Sequence, residues 1–134
     1  SQKNKLSQNK QAGARKKPER VEGTLSCELP KTLVKTNDIH ITSKRNFDCF
    51  QDTELDMLLR RTLNVKNIII CGVNTDTCVY GTTFGASNRG YNPIVIECCT
   101  GSMRGEDQHN TALKIMSQSI AWVMKKEEIL NKLN

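Results

Sequence analysis

An apolar run that leads straight into a turn carrying a cysteine most constrains the fold of this chain. Residues 65–71 are mostly aliphatic, residues 72–78 have the sequence Gly-Val-Asn-Thr-Asp-Thr-Cys, and a segment of small residues follows. This order predicts a strand, a turn and a helix, as in α/β folds whose ligands bind at the carboxyl ends of the strands. Cys78 would then lie at a helix N-terminus, where the dipole and free N–H groups favour the reactive thiolate.

Length and composition restrict the chain to one small domain. It has 134 residues, 37% of them hydrophobic, and no apolar stretch long enough to cross a bilayer. Its six cysteines form no Cys-x-x-Cys pair and no regular framework, and several lie in apolar runs, where a free thiol behaves as a small hydrophobe. We therefore expect reduced thiols and a soluble, cytoplasmic protein.

The net charge of +6 belongs to the first twenty residues, where seven basic side chains stand against one acidic side chain. This stretch has no aromatic and almost no aliphatic residues, so burial cannot offset the entropy lost on ordering it. We predict a basic disordered tail over residues 1–22 and a domain over residues 23–134. A solvated tail is favoured over an arm that binds nucleic acid or an acidic partner, because no aromatic residue interleaves with the lysines.

Strand and helix patterns alternate along the rest of the chain. The predicted elements are a strand at 38–42, a helix with leucines at 55–63, a strand at 67–71, a helix after Cys78, a strand within 91–97 and a helix through 112–124 that continues or restarts at 127–133. Gly81 and Gly85 would permit a neighbouring element to approach the second helix, and Gly90 would cap it. The order predicts an α/β fold with a parallel three-stranded sheet and flanking helices.

Lys44 closes the first predicted strand, and Cys78 follows the second. If these strands are parallel neighbours, both side chains emerge at the same edge of the sheet, where an ammonium group stabilises a thiolate. Lys44 taken alone is more simply an ordinary surface lysine beside Arg45. The pairing therefore depends on the turn motif.

Four stretches together resemble the second half of an isochorismatase-like cysteine hydrolase. They are Lys44-Arg45-Asn46-Phe47-Asp48-Cys49-Phe50, Thr53-Glu54-Leu55, Gly72-Val73-Asn74-Thr75-Asp76-Thr77-Cys78-Val79 and Gly90-Tyr91. The family includes nicotinamidases, N-carbamoylsarcosine amidase, ureidoacrylate amidohydrolase and biuret hydrolase. The resemblance covers most of residues 23–130, and it implies the C-terminal half of a Rossmann-like fold.

The resemblance implies a cysteine-dependent hydrolysis of C–N bonds without a cofactor. Cys78 would attack an amide or ureide carbonyl and form a thioester, and Lys44 would support the thiolate. A cis peptide between Val73 and Asn74 would help to aim the N–H groups of Asn74 and Cys78 at the developing oxyanion. The substrate would be a small-molecule amide or ureide.

Phe47 and Phe50 are the candidates to line the substrate pocket, and an ordinary role in the core is an equal alternative. A metal site is not expected, since Cys98 and Cys99 with His109 have no standard zinc spacing. The acidic residues at 106–107 are better explained by the start of the last helix than by catalysis.

The family's catalytic Asp has no counterpart in residues 1–37, and neither Asp38 nor Asp76 stands at its position. A second half alone would also leave an apolar strand edge unpaired, which predicts a homo-oligomer or a complementing chain. Two functions therefore stand beside each other. One is a cysteine amidohydrolase, and the alternative is a truncated, inactive fragment that acts as an interaction module or needs a partner chain to supply the Asp. Membrane partners are not expected, and nucleic acid is disfavoured.

Overall fold

The computed structural model describes residue 25 and residues 28–133. The chain divides into two compact units at the boundary between Ile39 and His40. In the first unit the described residues form turns, in which Leu33 N–H donates to Pro30 O at 2.8 Å. The predicted tail, residues 1–22, lies outside the described residues, so its disorder stays a prediction.

The second unit alternates helices and strands. In chain order it contains α1, which begins as Leu55–Met57 and continues as a π-helix over Leu58–Thr62, β1 (Asn67–Val73), a π-helical turn (Thr75–Val79), α2 (Tyr80–Asn88), β2 (Asn92–Gly101), α3 (Glu106–Ser119), β3 (Trp122–Met124) and α4 (Lys126–Leu133).

The three strands form one parallel sheet in the order β1-β2-β3. Ile69 pairs with Ile94 in the first ladder, and Val95 pairs with Val123 in the second. Val95 is fully buried, as are Ala86 of α2 and Met116 of α3, so the core lies between the sheet and these helices. The predicted α/β class, with a three-stranded parallel sheet and flanking helices, is confirmed.

Two predicted elements are wrong, and they concern which segments form the sheet. Residues 38–42 are not a strand: no described residue pairs with them, and Ile39 is 58% exposed. The third strand is instead Trp122–Met124, which helical spacing had placed in the last helix. The helix ends earlier because the N–H groups of Ile120 and Ala121 both donate to Met116 O, each at 3.0 Å. The chain then continues as the extended strand β3.

The predicted roles of the glycines around α2 are confirmed. Gly90 has φ +79° just beyond the helix, and its N–H donates to Ser87 O while that of Tyr91 donates to Ala86 O, which together form a Schellman cap. A side chain at Gly81 would touch the Phe47 backbone at 3.5 Å, so α2 is approached closely on this face. The cap at Gly90 therefore ends the helix, and the face that carries Gly81 packs closely against the Phe47 backbone.

An aromatic and ionic cluster ties α1 to the start of β2. Phe50 and Tyr91 are buried and stack with their ring centroids 5.6 Å apart. The Arg60 guanidinium lies over the Tyr91 ring, and that of Arg89 lies over the Phe50 ring. Tyr91 donates to Asp56 Oδ1 at 2.8 Å, which lowers the pKa of Asp56, while burial and that carboxylate raise the pKa of Tyr91. These contacts secure the end of the sheet that lies away from Cys78.

Within residues 25 and 28–133, no helix is both long and apolar enough to span a membrane.

Candidate active site

Cys78 lies in the π-helical turn between β1 and α2, where it is half-buried. Thr75 and Val79, the first and last residues of this turn, are buried at 0% and 4% exposure and anchor it in the core. Gly72, with φ +131°, adopts a positive-φ backbone one residue before the end of β1, and the peptide bond between Val73 and Asn74 is cis. The strand, turn and helix expected around Cys78 are therefore present.

Backbone hydrogen bonds fix the turn on both sides of Cys78. The carbonyl of Asn74 accepts from the N–H of Thr77 at 3.1 Å and from that of Val79 at 3.0 Å. Because these two residues flank Cys78, its backbone position is set from either side.

The loop between β2 and α3 holds the turn through Asp76. Ser102 Oγ donates to one carboxylate oxygen and the Arg104 guanidinium donates to the other, each at 2.6 Å. The Asp76 side chain is 10% exposed and that of Arg104 is 59% exposed. The Ser102 hydrogen bond, followed by that of Arg104, holds the pKa of Asp76 below its usual range, although burial acts in the opposite direction. Asp76 is therefore a structural carboxylate in this turn.

Asn74 and Thr75 are held from the same side of the molecule. Met103 N–H donates to Asn74 Oδ1 at 2.9 Å, and Thr75 Oγ1 shares a hydrogen bond with His109 Nδ1 at 2.8 Å. Three consecutive residues of the motif are thus fixed by side-chain contacts. We call these contacts the brace: Asn74, Thr75 and Asp76 held by Ser102, Met103, Arg104 and His109.

Lys44 is half-buried and lies in a stretch without a strand. Its carbonyl accepts from the guanidinium of Arg45 at 3.0 Å, and the same group donates to Thr42 O at 2.7 Å. Among the contacts of the described residues, none joins the Lys44 ammonium to Cys78. Within the described part of the chain, the two predicted catalytic side chains are therefore not joined by a hydrogen bond.

Residues 43–50, which we call the lysine segment, are nevertheless attached to the helix that follows Cys78. Thr82 of α2 accepts from Cys49 N–H at 3.1 Å and donates to Phe47 O at 3.3 Å. Asp48 pairs with Arg89 at 3.4 Å, and a side chain at Gly85 would overlap the Asp48 carboxylate. The segment and the turn thus share α2 as a common support.

The two phenylalanines of the segment have different positions. Phe50 is 4% exposed and stacks on Tyr91, which is the core role that the sequence left as an alternative. Phe47 is 58% exposed and is free of that core. Of the two pocket candidates, only Phe47 presents a large surface to a ligand.

Sequence reasoning missed the brace. Ser102 and Arg104 follow β2 directly, and in a parallel sheet the end of one strand lies beside the end of its neighbour, which could have indicated their contact with the turn after β1. The acidic residues 106–107 do occupy the first turn of α3, but the N-cap is Gly105, without a side-chain cap. His109 contacts Thr75, and the described residues contain no cluster of His, Cys, Asp and Glu arranged for a metal ion.

A comparison with protein families identifies the class of this chain. The model of the Isochorismatase domain matches residues 2–128. The chain belongs to the isochorismatase family, as the resemblance in its sequence predicted. The match includes the basic N-terminal residues that the sequence analysis set apart as a tail.

Similar proteins agree with this membership. The uncharacterized isochorismatase family protein YecD from Escherichia coli O157:H7 is 35% identical over 97 residues, which is 72% of this chain and 50% of that protein. The chain spans about half the length of the curated relatives it matches.

Solved structures show the same fold. An isochorismatase-like hydrolase from Alkaliphilus metalliredigens has a TM-score of 0.78 and 26% identity, over 86% of this chain and 63% of that one. The nicotinamidase SaPncA from Staphylococcus aureus has a TM-score of 0.57 and 36% identity, over 60% of this chain and 49% of that one.

Proposed function

We propose that this chain provides the nucleophile of a cysteine hydrolase that cleaves C–N bonds in small amides, ureides or carbamoyl compounds. The observation that carries the proposal is the position of Cys78 on a turn in which three consecutive residues are held by the brace. The similarity to a nicotinamidase supports amide-type bonds over the ether-type bond that other members of the family cleave. The proposed setting is the cytoplasm, where Cys78 remains a thiol.

The proposed reaction balances with water alone. The sulfur of Cys78 attacks the carbonyl carbon, a C–S bond forms, and the carbonyl oxygen becomes an oxyanion. The C–N bond then breaks, and the nitrogen leaves as ammonia or an amine after taking up a proton. Water hydrolyses the thioester to the acid and restores the thiol. No step requires electrons or a group from a cofactor.

Backbone N–H groups of Asn74 and Cys78 are the proposed donors to the oxyanion. The hydrogen bonds from Thr77 and Val79 to Asn74 O and the contact of Asn74 Oδ1 with Met103 hold this backbone in place before substrate arrives. Such preorganisation is what makes an oxyanion hole effective, and the loss of one donor typically costs about 3 kcal/mol of barrier.

Lys44 is the proposed cation that supports the thiolate. Its segment is anchored on α2 through Thr82 and Arg89, and Cys78 precedes the same helix. In the proposed site, a movement of the half-buried Lys44 side chain toward Cys78, or a substrate carbonyl bound between the two groups, would complete the arrangement. Phe47, which is exposed beside this anchor, is the proposed pocket residue.

A partner chain is the proposed source of the family's catalytic Asp. Among the described strands β1 is at the edge of the sheet, and its Ile69 and Val73 are 48% and 55% exposed. An apolar edge strand of this kind favours association, either with a complementing chain or with another copy. The competing function, an inactive fragment that acts as an interaction module, rests on the same edge.

Ammonia release separates these functions. The chain, alone and with added candidate partner chains, is incubated with nicotinamide, biuret and ureido acids, and acyl-enzyme is sought by intact mass spectrometry. We expect release and an acyl adduct on Cys78, both abolished by Cys78→Ala and retained in Cys98→Ala, which removes an exposed thiol on β2. A folded chain that releases nothing and forms no adduct in any combination contradicts the proposal and favours the module.

Alkylation tests the lysine separately. Iodoacetamide modification of Cys78, followed by peptide mass mapping, should slow several-fold in Lys44→Met because a nearby positive charge favours the thiolate. Lys66→Met, which removes a lysine just before β1, is the matched control and should react at the wild-type rate. Equal rates in all three proteins would remove Lys44 from the mechanism.

A further inference from the structure

Three cysteine thiols that the proposed reaction does not use lie together on β1 and β2. They are Cys71 on β1 and the consecutive residues Cys98 and Cys99 on β2, and all three are exposed. The Sγ atoms of Cys98 and Cys99 are 4.0 Å apart. Exposed thiols in such proximity are open to thiol–disulfide exchange, whereas isolated buried thiols are inert.

The strand register singles out one pair within this cluster. The ladder between β1 and β2 is regular up to Ile70 and Val95, is then interrupted, and resumes with Gly72 opposite Thr100. Cys71 and Cys99 each directly precede a residue of that resumed pair. Neither cysteine has a Cα partner in the ladder, but the Cys99 thiol lies close enough to Cys71 to act on its pKa through a side-chain hydrogen bond, so the two are neighbours at the irregular step.

Neighbouring strands have a spacing that a disulfide can bridge. Adjacent parallel strands lie about 4.8 Å apart, and a disulfide joins Cα atoms separated by roughly 4.4–6.8 Å. By contrast, a bond between the consecutive residues Cys98 and Cys99 would close a small ring that distorts the intervening peptide. The cross-strand pair is the favoured one.

We propose that Cys71 and Cys99 form a reversible redox pair that is oxidised by small disulfides of the glutathione type. The Cys99 thiolate attacks one sulfur of the small disulfide, which forms a mixed disulfide and releases one small thiol. The Cys71 thiolate then attacks Cys99 Sγ, which forms the protein disulfide and releases the second small thiol. Two electrons pass from the protein to the reagent, and the two thiol protons end on the released thiols.

The surroundings of Cys71 determine how the rate of disulfide formation depends on pH. Although Cys71 is exposed as a residue, partial shielding of its thiol from solvent, followed by the neighbouring Cys99 and Cys98 thiols, raises its pKa, so its thiolate becomes more abundant as the pH rises. Closure of the mixed disulfide should accelerate accordingly toward alkaline pH. The pair should stay reduced in a reducing cytosol and close under oxidising stress.

The location of the pair connects it to the candidate active site. Cys71 lies on β1, three residues before Asn74, and Cys99 lies on β2, three residues before Ser102. Both strands continue into residues of the brace, so the disulfide would covalently join the two strands that lead into it. The inference concerns a site separate from Cys78 and does not require the proposed hydrolysis.

The test is a redox titration of the full chain in a Cys78→Ala background, which prevents the proposed nucleophile from exchanging. Dilute protein is equilibrated with graded mixtures of oxidised and reduced glutathione, quenched in acid, alkylated after unfolding and mapped by mass spectrometry. We expect two fewer alkylated thiols and a peptide linked between Cys71 and Cys99, reversed by excess reduced glutathione. Addition of Cys71→Ser or Cys99→Ser should abolish the link.

Matched variants make the assignment specific. Cys98→Ser, which removes the third thiol of the cluster, should leave the linked peptide at its wild-type yield, and so should Cys49→Ser. The proposal is overturned by a link between Cys98 and Cys99, by glutathione adducts that persist without closure, by loss of the link in Cys98→Ser, or by disulfides between chains only. Circular dichroism of each variant verifies that it is folded before the titration is scored.

Discussion

The turn that carries Cys78 and the segment that carries Lys44 are held in different ways. Three consecutive residues of the turn make hydrogen bonds to Ser102, Met103, Arg104 and His109, which follow the neighbouring strand. Among the described residues, the hydrogen bond found for Lys44 is local: its carbonyl accepts from the Arg45 guanidinium. The lysine segment is attached to the fold further along, where Asp48 and Cys49 contact α2.

The difference shows which part of a catalytic constellation this chain positions by itself. The position of Cys78, the proposed nucleophile, is set by contacts within the described residues, on the side where the ends of two parallel strands meet. The lysine directly follows residues 38–42, where the alternating pattern predicts a strand, but that strand does not form among the described residues. A strand needs a neighbour for its backbone hydrogen bonds, so the ordering of Lys44 depends on what this stretch can pair with.

The largest effect is expected from filling the close contact that anchors the lysine segment. In Gly85→Ala the added Cβ would overlap the Asp48 carboxylate, which has to shift and so weaken its contacts with Arg89 and Phe50 N–H. We expect a loss of about 2 kcal/mol in the free energy of unfolding, measured by urea denaturation.

Gly81→Ala is the matched control in the same helix. Its Cβ meets the Phe47 and Asp48 backbone at an ordinary 3.5 Å, so the better helix propensity of Ala should make it neutral or stabilising by up to about 1 kcal/mol. If both variants are equally stable, the lysine segment is not held at Gly85. It would then be less firmly attached to the fold than its contacts with α2 indicate, and the difference from the turn that carries Cys78 would be larger.

The next largest effect is expected in the brace. Asp76→Asn exchanges a carboxylate that accepts from Ser102 and Arg104 for a neutral amide, and it should cost about 1.5 kcal/mol. Hydrogen exchange at the amides of Thr77 and Val79 should become faster, because both depend on the turn.

The exposed Asp107→Asn serves as control for the loss of a negative charge and should cost less than about 1 kcal/mol, the usual contribution of an acidic residue in the first turn of a helix. A double-mutant cycle of Asp76→Asn with Arg104→Met gives the share due to the ion pair. That share should be the smaller part, since Arg104 is largely exposed. An unchanged exchange rate in Asp76→Asn would show that the turn keeps its form without the brace.

The contribution of Asp76 should disappear in acid. The pKa of its carboxyl is held below the ordinary value of 3.8, so the folded state releases this proton more readily than the unfolded state does. The stability it adds is complete above the ordinary value and is lost as the pH falls through the lowered pKa. Urea midpoints of the wild type and Asp76→Asn, measured from pH 7 downward, should therefore converge in acid. A gap that stays constant with pH would exclude this origin.

The smallest effect is expected at the hydrogen bond between Thr75 and His109. Thr75→Val keeps the shape of a fully buried side chain and removes only its hydroxyl, so a loss of about 1 kcal/mol is expected. Thr111→Val, an exposed threonine of α3, should be neutral within about 0.5 kcal/mol in the same thermal and urea measurements. Equal stability of the Thr75 variant would limit the brace to the contacts of Asn74 and Asp76.

Local pattern was sufficient for much of the fold. The leucines of α1, the aliphatic run of β1, the small residues of α2 and its cap at Gly90 each depend on neighbours in sequence, and each was predicted correctly. The turn around Cys78 was predicted for the same reason, since strand, glycine and helix follow one another directly.

The features that the local pattern did not predict depend on contacts between residues that are distant in sequence. Val123 and Met124 fit a helical face, yet they pair with β2 because α3 ends at Ser119 and leaves that edge of the sheet open to them. Ile39 and Ile41 alternate as in a strand but find no partner among the described residues. The brace joins residues 26 to 34 positions apart, and no local spacing marks such contacts.

The distance in sequence across the brace has a consequence during synthesis. A ribosome makes the whole Cys78 motif well before it makes Ser102 and His109, so the nascent turn has all its own residues while none of its outside supports exist. Truncated chains that stop at Asn92 and at Lys114 would isolate these two stages. The thiol acquires its final surroundings only when a later part of the polypeptide arrives.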